Sequence, residues 1–110
     1  MKPITTLYLL LNEEIFRLVH TSGNGLAELP HSAKADHGDV FKHAATAVSD
    51  EWARGIYDRI VIVAGPKTLG EVRLALPAAL HSHIAAELHK DLVKFSLHDL
   101  PGHFGSVSTI

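Results

Sequence analysis

Gly65-Pro66-Lys67 stands between an apolar run, Ile60–Ala64, and a helical pattern that follows at once. A glycine turn at such a junction is a place where proteins cradle phosphate, so spacing is the test. A Walker loop needs G-x-x-x-x-G-K-[ST], with successive backbone N–H groups wrapped around the phosphates. Here the second glycine is Gly70 and Glu71 follows it, where a lysine would be needed. Pro66 removes one N–H donor and Glu71 repels an anion. G-x-G-x-x-G is absent as well. The turn therefore reads as a strand-to-helix corner. A weak anion site built from Lys67 and the helix N-terminus is the alternative.

Other chemistries can be tested in the same way. Two-metal nuclease catalysis needs several carboxylates, one of them in the middle of the first strand. The first apolar run, Thr5–Leu11, carries none. His81, His83 and His89 lie close together in "HSHIAAELHKD", and converging imidazoles can bind metal. His81 and His83 fall at an expected helix end, where their side chains diverge and favour the helix dipole instead. His37 and His43 are a poor pair across a helix start. Surface histidines and no metal are expected. There is no cysteine and no G-x-S-x-G elbow, and nothing marks a triad, so no catalytic residue is assigned.

Composition narrows the classes further. A chain of 110 residues suits one domain, 1–104, with a flexible tail at 105–110. Apolar residues make up 46% and charged residues 20%, ordinary globular usage. The longest apolar run, Leu7–Leu11, is too short to span a bilayer, and the opening residues are not a secretory signal. A cytoplasmic location without membrane contact is expected. The absence of cysteine excludes disulfides and thiolate metal sites. Net charge is −2 and the ten basic residues are scattered, unlike a dedicated nucleic-acid binder. Nine histidines would shift the charge positive near pH 6, making solubility and binding pH-dependent.

The elements that must position any site follow from periodicity. Thr5–Leu11 predicts a buried strand, and Ile15–His20 a second one. In that second strand Phe16, Leu18 and His20 share one side and Ile15, Arg17 and Val19 the other. Leu26–Leu29 predicts a short third strand after the turn residues 21–25. Residues 31–38 read as a polar loop, with Asp36 or Asp39 capping the next helix. Phe41, Ala45, Val48 and Trp52 recur at helical spacing, and Gly55 suits a left-handed cap with Ile56 packing back. Arg59–Ala64 has the continuous apolar character of a parallel strand covered on both faces. Thr68 and Glu71 predict a capping box for a helix over Leu69–Leu76. A short helix at Pro77–His83, a strand from Ile84, and a last helix from Ser96 or Asp99 carrying Leu97, Leu100 and Phe104 complete the chain.

The fold class is α/β: a single-domain mixed sheet with helices on both faces, in the order β-β-β-α-β-α-β-α. That order suits a ribonuclease H-like topology. In open α/β sheets ligands bind beyond the carboxyl ends of parallel strands. Those ends carry Asn12, Gly65-Pro66-Lys67 and Lys90-Asp91. Asn12, Lys67, Lys90 and Asp91 are therefore the candidate ligand-binding residues. The plainer alternative makes Lys90-Asp91 a structural cap or salt bridge. Trp52 and Phe41 are expected in the core, not on a stacking platform. The Pro77–His83 helix is weakly amphipathic and could serve a homodimer face.

"YDRIVIVA", "GPKTLGEVRLALP" and "AELHKDL" follow one another at characteristic distances, and "YLLLNEEIFRLV" precedes them. Over about residues 5–104 the chain resembles the bacterial family of proteins required for attachment to host cells. That family is regarded as related to the middle, catalytic domain of archaeal and eukaryotic peptide-chain release factors. Leu69-Gly70-Glu71-Val72-Arg73 and Lys90-Asp91-Leu92 are the most specific parts, and Asn12 takes a position often held by Asp. Two departures stand out. The release-factor domain hydrolyses peptidyl-tRNA with a Gly-Gly-Gln loop, and no Gly-Gly pair occurs here. The loop before the first helix is also short. Both argue against peptidyl-tRNA hydrolysis. The resemblance implies a non-catalytic binding module for RNA, the ribosome or a protein, without a cofactor. One alternative is an adhesion-related or regulatory interaction domain that binds no nucleic acid. Another is a small hydrolase acting at the sheet edge through Asn12, Lys67 and Asp91. A continuous face of Lys42, Lys67, Arg73, Lys90 and Lys94 would favour RNA; dispersed charge would favour a protein.

Overall fold

The computed structural model describes residues 4–22, 25–29, 33–34 and 40–100. They form an α/β domain around one mixed sheet. The elements are β1 (Thr6–Leu11), β2 (Ile15–Ser22), β3 (Gly25–Glu28), β4 (Ala33–Lys34), α1 (Val40–Trp52), β5 (Arg59–Val63), α2 (Pro66–Ala75), α3 (Ala78–His81) and β6 (Ile84–Leu88). The strands run in the order β3-β2-β1-β5-β6, with β4 paired to β2. β1 is antiparallel to β2 and parallel to β5, and β5 is parallel to β6.

β1 is buried along its whole length. Because strand side chains alternate between faces, it feeds two cores. Leu7, Leu9 and Leu11 join Ile60, Ile62, Phe16 and Leu18 under the buried residues of α1, α2 and α3. Tyr8 and Leu10 join Val19, Val61 and Val63 beneath Leu92, Val93 and Leu100. Among the described residues, α1, α2 and α3 thus pack on one face. The other face is closed by the segment after β6, which reaches the expected last helix at Leu100. The Ser96 hydroxyl bonds the Asp99 carboxylate at 2.9 Å, and the Asp99 amide donates back to that hydroxyl at 3.3 Å, as a helix start requires. Phe104 and the tail at 105–110 lie outside the described residues, as do Asp36 and Asp39.

Arg17 ties that second cover down. It lies on β2 on the Val19 side. Its Nε and Nη2 reach both Glu28 oxygens of the neighbouring strand, at 2.9 and 2.7 Å. Its Nη1 donates to the carbonyls of Val93 and Phe95, at 2.8 and 2.6 Å. Glu28 fixes the guanidinium, whose planar fork then holds the chain crossing over it.

Some local expectations give way. α2 begins at Pro66, with Gly65 as N-cap and no side-chain capping bond. Proline at the first helical position is already set to helical φ and needs no amide partner. The start therefore moves ahead of Thr68, which is buried inside the helix, and the Thr68–Glu71 capping box does not form. Gly55 does adopt the left-handed conformation, φ 74°, but Ile56 is 47% exposed and does not pack back. The third strand starts at Gly25 and ends at Glu28, and β4 lies within the stretch read as loop.

Replacing Arg17 with alanine is expected to loosen the second cover selectively. Amide exchange over residues 92–100 should rise about tenfold or more, the equivalent of one charge-assisted hydrogen bond. β1 and β5 amides should keep their protection. Equal acceleration throughout the sheet would show that Arg17 supports the whole fold and not this segment.

Candidate functional site

The strand polarity defines the edge where a site can form. β1, β5 and β6 are parallel, so their carboxyl ends share one edge. Leu10, Val63 and Leu88 are in register, and the Ala64 amide continues the ladder to the Leu88 carbonyl at 3.0 Å. Extending that register by two residues puts Asn12, Gly65 and Lys90 on one level, successive strands being about 5 Å apart. The chain leaves β1 toward β2 and leaves β5 toward β6, in opposite directions. β1 and β5 therefore flank the switch point at which open α/β sheets form a crevice.

The helices converge on the same edge. α2 starts there because it follows β5 without a break. α1 ends at the opposite edge, where Trp52 stacks on Tyr57 at 6.5 Å and packs against His83 at 4.7 Å between ring centroids. Its first turn, with Lys42, must then lie near the edge that carries Asn12. Both helices direct the positive ends of their dipoles to that side.

The candidate residues have different local roles. The Asn12 side-chain oxygen accepts the Glu14 and Ile15 amides at 2.7 and 2.8 Å, forming the turn between β1 and β2. This leaves its Nδ2 amide as the group that can face a ligand. Lys67 is exposed in the first turn of α2, and Lys90 and Asp91 are exposed just after β6. The four residues belong to one edge by topology. Neither the hollow beside β6 nor the one between α1 and Pro77 includes any of them. The small-hydrolase alternative needs a pocket uniting Asn12, Lys67 and Asp91, and neither hollow is that pocket.

Arg73 is removed from any basic face. It reaches Glu87 on β6, its Nε donating at 2.9 Å and its Nη2 making a second contact with the same carboxylate. The three clustered histidines separate: the His81 ring bonds the Arg73 carbonyl at 2.9 Å, His83 lies on Trp52, and His89 is exposed beyond β6. Among the described residues, no three His, Asp or Glu side chains stand together as a metal site.

A buried polar cluster at the opposite edge escaped the sequence reading. Glu51, 5% exposed, accepts the Tyr57 hydroxyl at 2.7 Å and an Arg54 nitrogen at 3.0 Å. Burial, and the Glu51 carboxylate that the hydroxyl bonds, push Tyr57 up to about 12. The residue spacing gave no signal for it, because Glu51 and Tyr57 meet only once the chain has turned at Gly55.

Comparison with known proteins now adds the lineage. Residues 17–103 match the bacterial archaeo-eukaryotic release factor family 12. The chain belongs to that family. An archaeal protein of solved structure superposes with a TM-score of 0.62 at 10% identity, covering 96% of this chain and 38% of its own. That likeness shows the shared fold, and the chain spans well under half the length of that protein. No curated protein matches the chain. No helix among the described residues is long and apolar enough to cross a membrane.

The Glu51–Tyr57 pair predicts an alkaline stability loss. Between pH 10 and about 12 the unfolded chain has released its phenolic proton and the folded chain has not. Stability therefore falls as pH rises through that window. Denaturant titrations should show that slope in the native chain and its reduction in Tyr57→Phe. The variant should also lose about 1–3 kcal/mol near neutrality, because Glu51 keeps its burial and loses a donor.

Proposed function

We propose that this release-factor-family domain is an RNA-binding module of the translation apparatus, with the ribosome as its class of partner. What supports the reading is the shared edge: strand register brings the Gly65–Lys67 corner and Lys90 to the level of Asn12 at the switch point. Phosphate groups are bound by lysines and by helix N-termini, and both come to this edge. The strand order, with β2 antiparallel beside β1, supports a ribonuclease H-like reading of the fold. On this reading Asn12, Lys67, Lys90 and Asp91 bind and position RNA, and no catalytic role is assigned to them. A cytoplasmic location goes with such a partner.

The Arg73–Glu87 pair favours a second reading. It breaks the continuous basic face that RNA binding would use, as an adhesion-related or regulatory protein-interaction domain would allow.

Co-sedimentation with bacterial ribosomes and with free tRNA, at low and moderate salt, separates the two. RNA contact predicts binding that weakens with salt. In the variant Lys67→Glu/Lys90→Glu the slope of log affinity against log salt should fall by about 2, one for each lost phosphate contact. No binding at low salt would remove the RNA reading and leave the protein-interaction one.

A further inference from the structure

The outer side of the helical layer carries a groove that the sheet-edge site does not use. Lys42, Ala45, Thr46, Ser49 and Asp50 of α1 form one wall. Ala75 and Pro77 form the other, around a hollow of about 240 Å³. Lys42, Thr46 and Asp50 are spaced i, i+4, i+8, which makes them one ridge of the helix surface. At 1.5 Å per residue the ridge is about 12 Å long. Its two ends carry opposite charges, and all three residues are exposed.

Three features make this ridge suited to burial against another surface. The Thr46 hydroxyl donates back to the Lys42 carbonyl at 3.1 Å, so its polar group is already satisfied within the helix. Lys42 and Asp50 make no ion pair with any described residue. On α2, Leu74 is 87% exposed; it stands two residues after fully buried Val72 and so points away from the sheet. Ala75 and Pro77 give the groove an apolar flank, and exposed Leu74 adjoins Ala75 in the chain.

The charge order identifies an occupant. A two-fold axis crossing α1 at Thr46 lays the ridge on its own reverse. Lys42 then meets Asp50 of the second copy, and Asp50 meets its Lys42, so the surface is self-complementary. Rows spaced by four residues pack against each other with helix axes crossing near −50°, the commonest helix-packing class. We infer that a second copy of this chain docks on this face, as an antiparallel α1–α1 pair flanked by Ala75 and Pro77. The inference is independent of the RNA reading, because the face is built from the outside of α1 and α2 and its test reads mass alone.

Sedimentation velocity of the full chain over a wide concentration range tests it. A concentration-dependent monomer–dimer equilibrium is expected. Asp50→Lys or Lys42→Asp alone should weaken association about tenfold or more, since each places like charges opposite each other twice. The double variant Lys42→Asp/Asp50→Lys should restore it, because the charge order is reversed and kept complementary. Both side chains are exposed, and circular dichroism would verify that the variants fold. A native chain that stays monomeric throughout would overturn the proposal. So would a dimer indifferent to the single reversals, or a double variant that fails to recover.

Discussion

The fold depends on the double burial of β1. Every residue from Thr6 to Leu11 is hidden, and the strand sends alternate side chains into two cores. Each fully buried leucine contributes about 1.5–3 kcal/mol, but only if both faces are covered. One face is covered by α1 and α2, whose apolar faces answer Leu7, Leu9 and Leu11. The other relies on Leu92, Val93 and Leu100, which lie in a turn-rich stretch with little regular hydrogen bonding of its own. Arg17 supplies the missing direction by gripping the carbonyls of Val93 and Phe95. The start of β1 is anchored as well. The Thr5 amide donates to the Asp58 carboxylate at 2.8 Å, and Arg59 donates to the buried Thr6 hydroxyl at 2.7 Å.

The same strand creates the asymmetry between the two edges of the sheet. Because β1 turns back to β2 while β5 goes forward to β6, the chain leaves their adjacent carboxyl ends in opposite directions. At the amino ends, Trp52, Tyr57, His83 and the buried Glu51 fill the space between α1 and the strands. That edge is a stabilising plug. The other edge carries turn residues, two helix starts and exposed lysines.

Much of this was legible in the sequence, for physical reasons. Continuous apolar runs at Thr5–Leu11 and Arg59–Ala64 mark strands buried on both sides. The alternation in Ile15–His20 assigned Phe16 and Leu18 to one core and Val19 to the other, as the structure places them. That β1, β5 and β6 turn their carboxyl ends to one edge follows from strand polarity alone, so it could be derived without coordinates. What escaped were effects that depend on distant partners or on competing local signals. Arg17 finds its carbonyls 76 and 78 residues away, beyond any periodicity. Pro66 outcompetes Thr68 as the start of α2. β4 has two residues, too few for alternation to register. Glu51 is hidden because Tyr57 folds back on it after the Gly55 turn, a contact that no helical spacing encodes.

The central functional claim is that the carboxyl edge of β1, β5 and β6 contacts RNA. Hydrogen exchange of the chain with and without bacterial ribosomal RNA, at low salt, tests it most directly. The account predicts new protection at Asn12–Ile15, Gly65–Leu69 and His89–Asp91, with the Trp52–Tyr57 edge unchanged. Protection confined to other surfaces, or none at all, would contradict it.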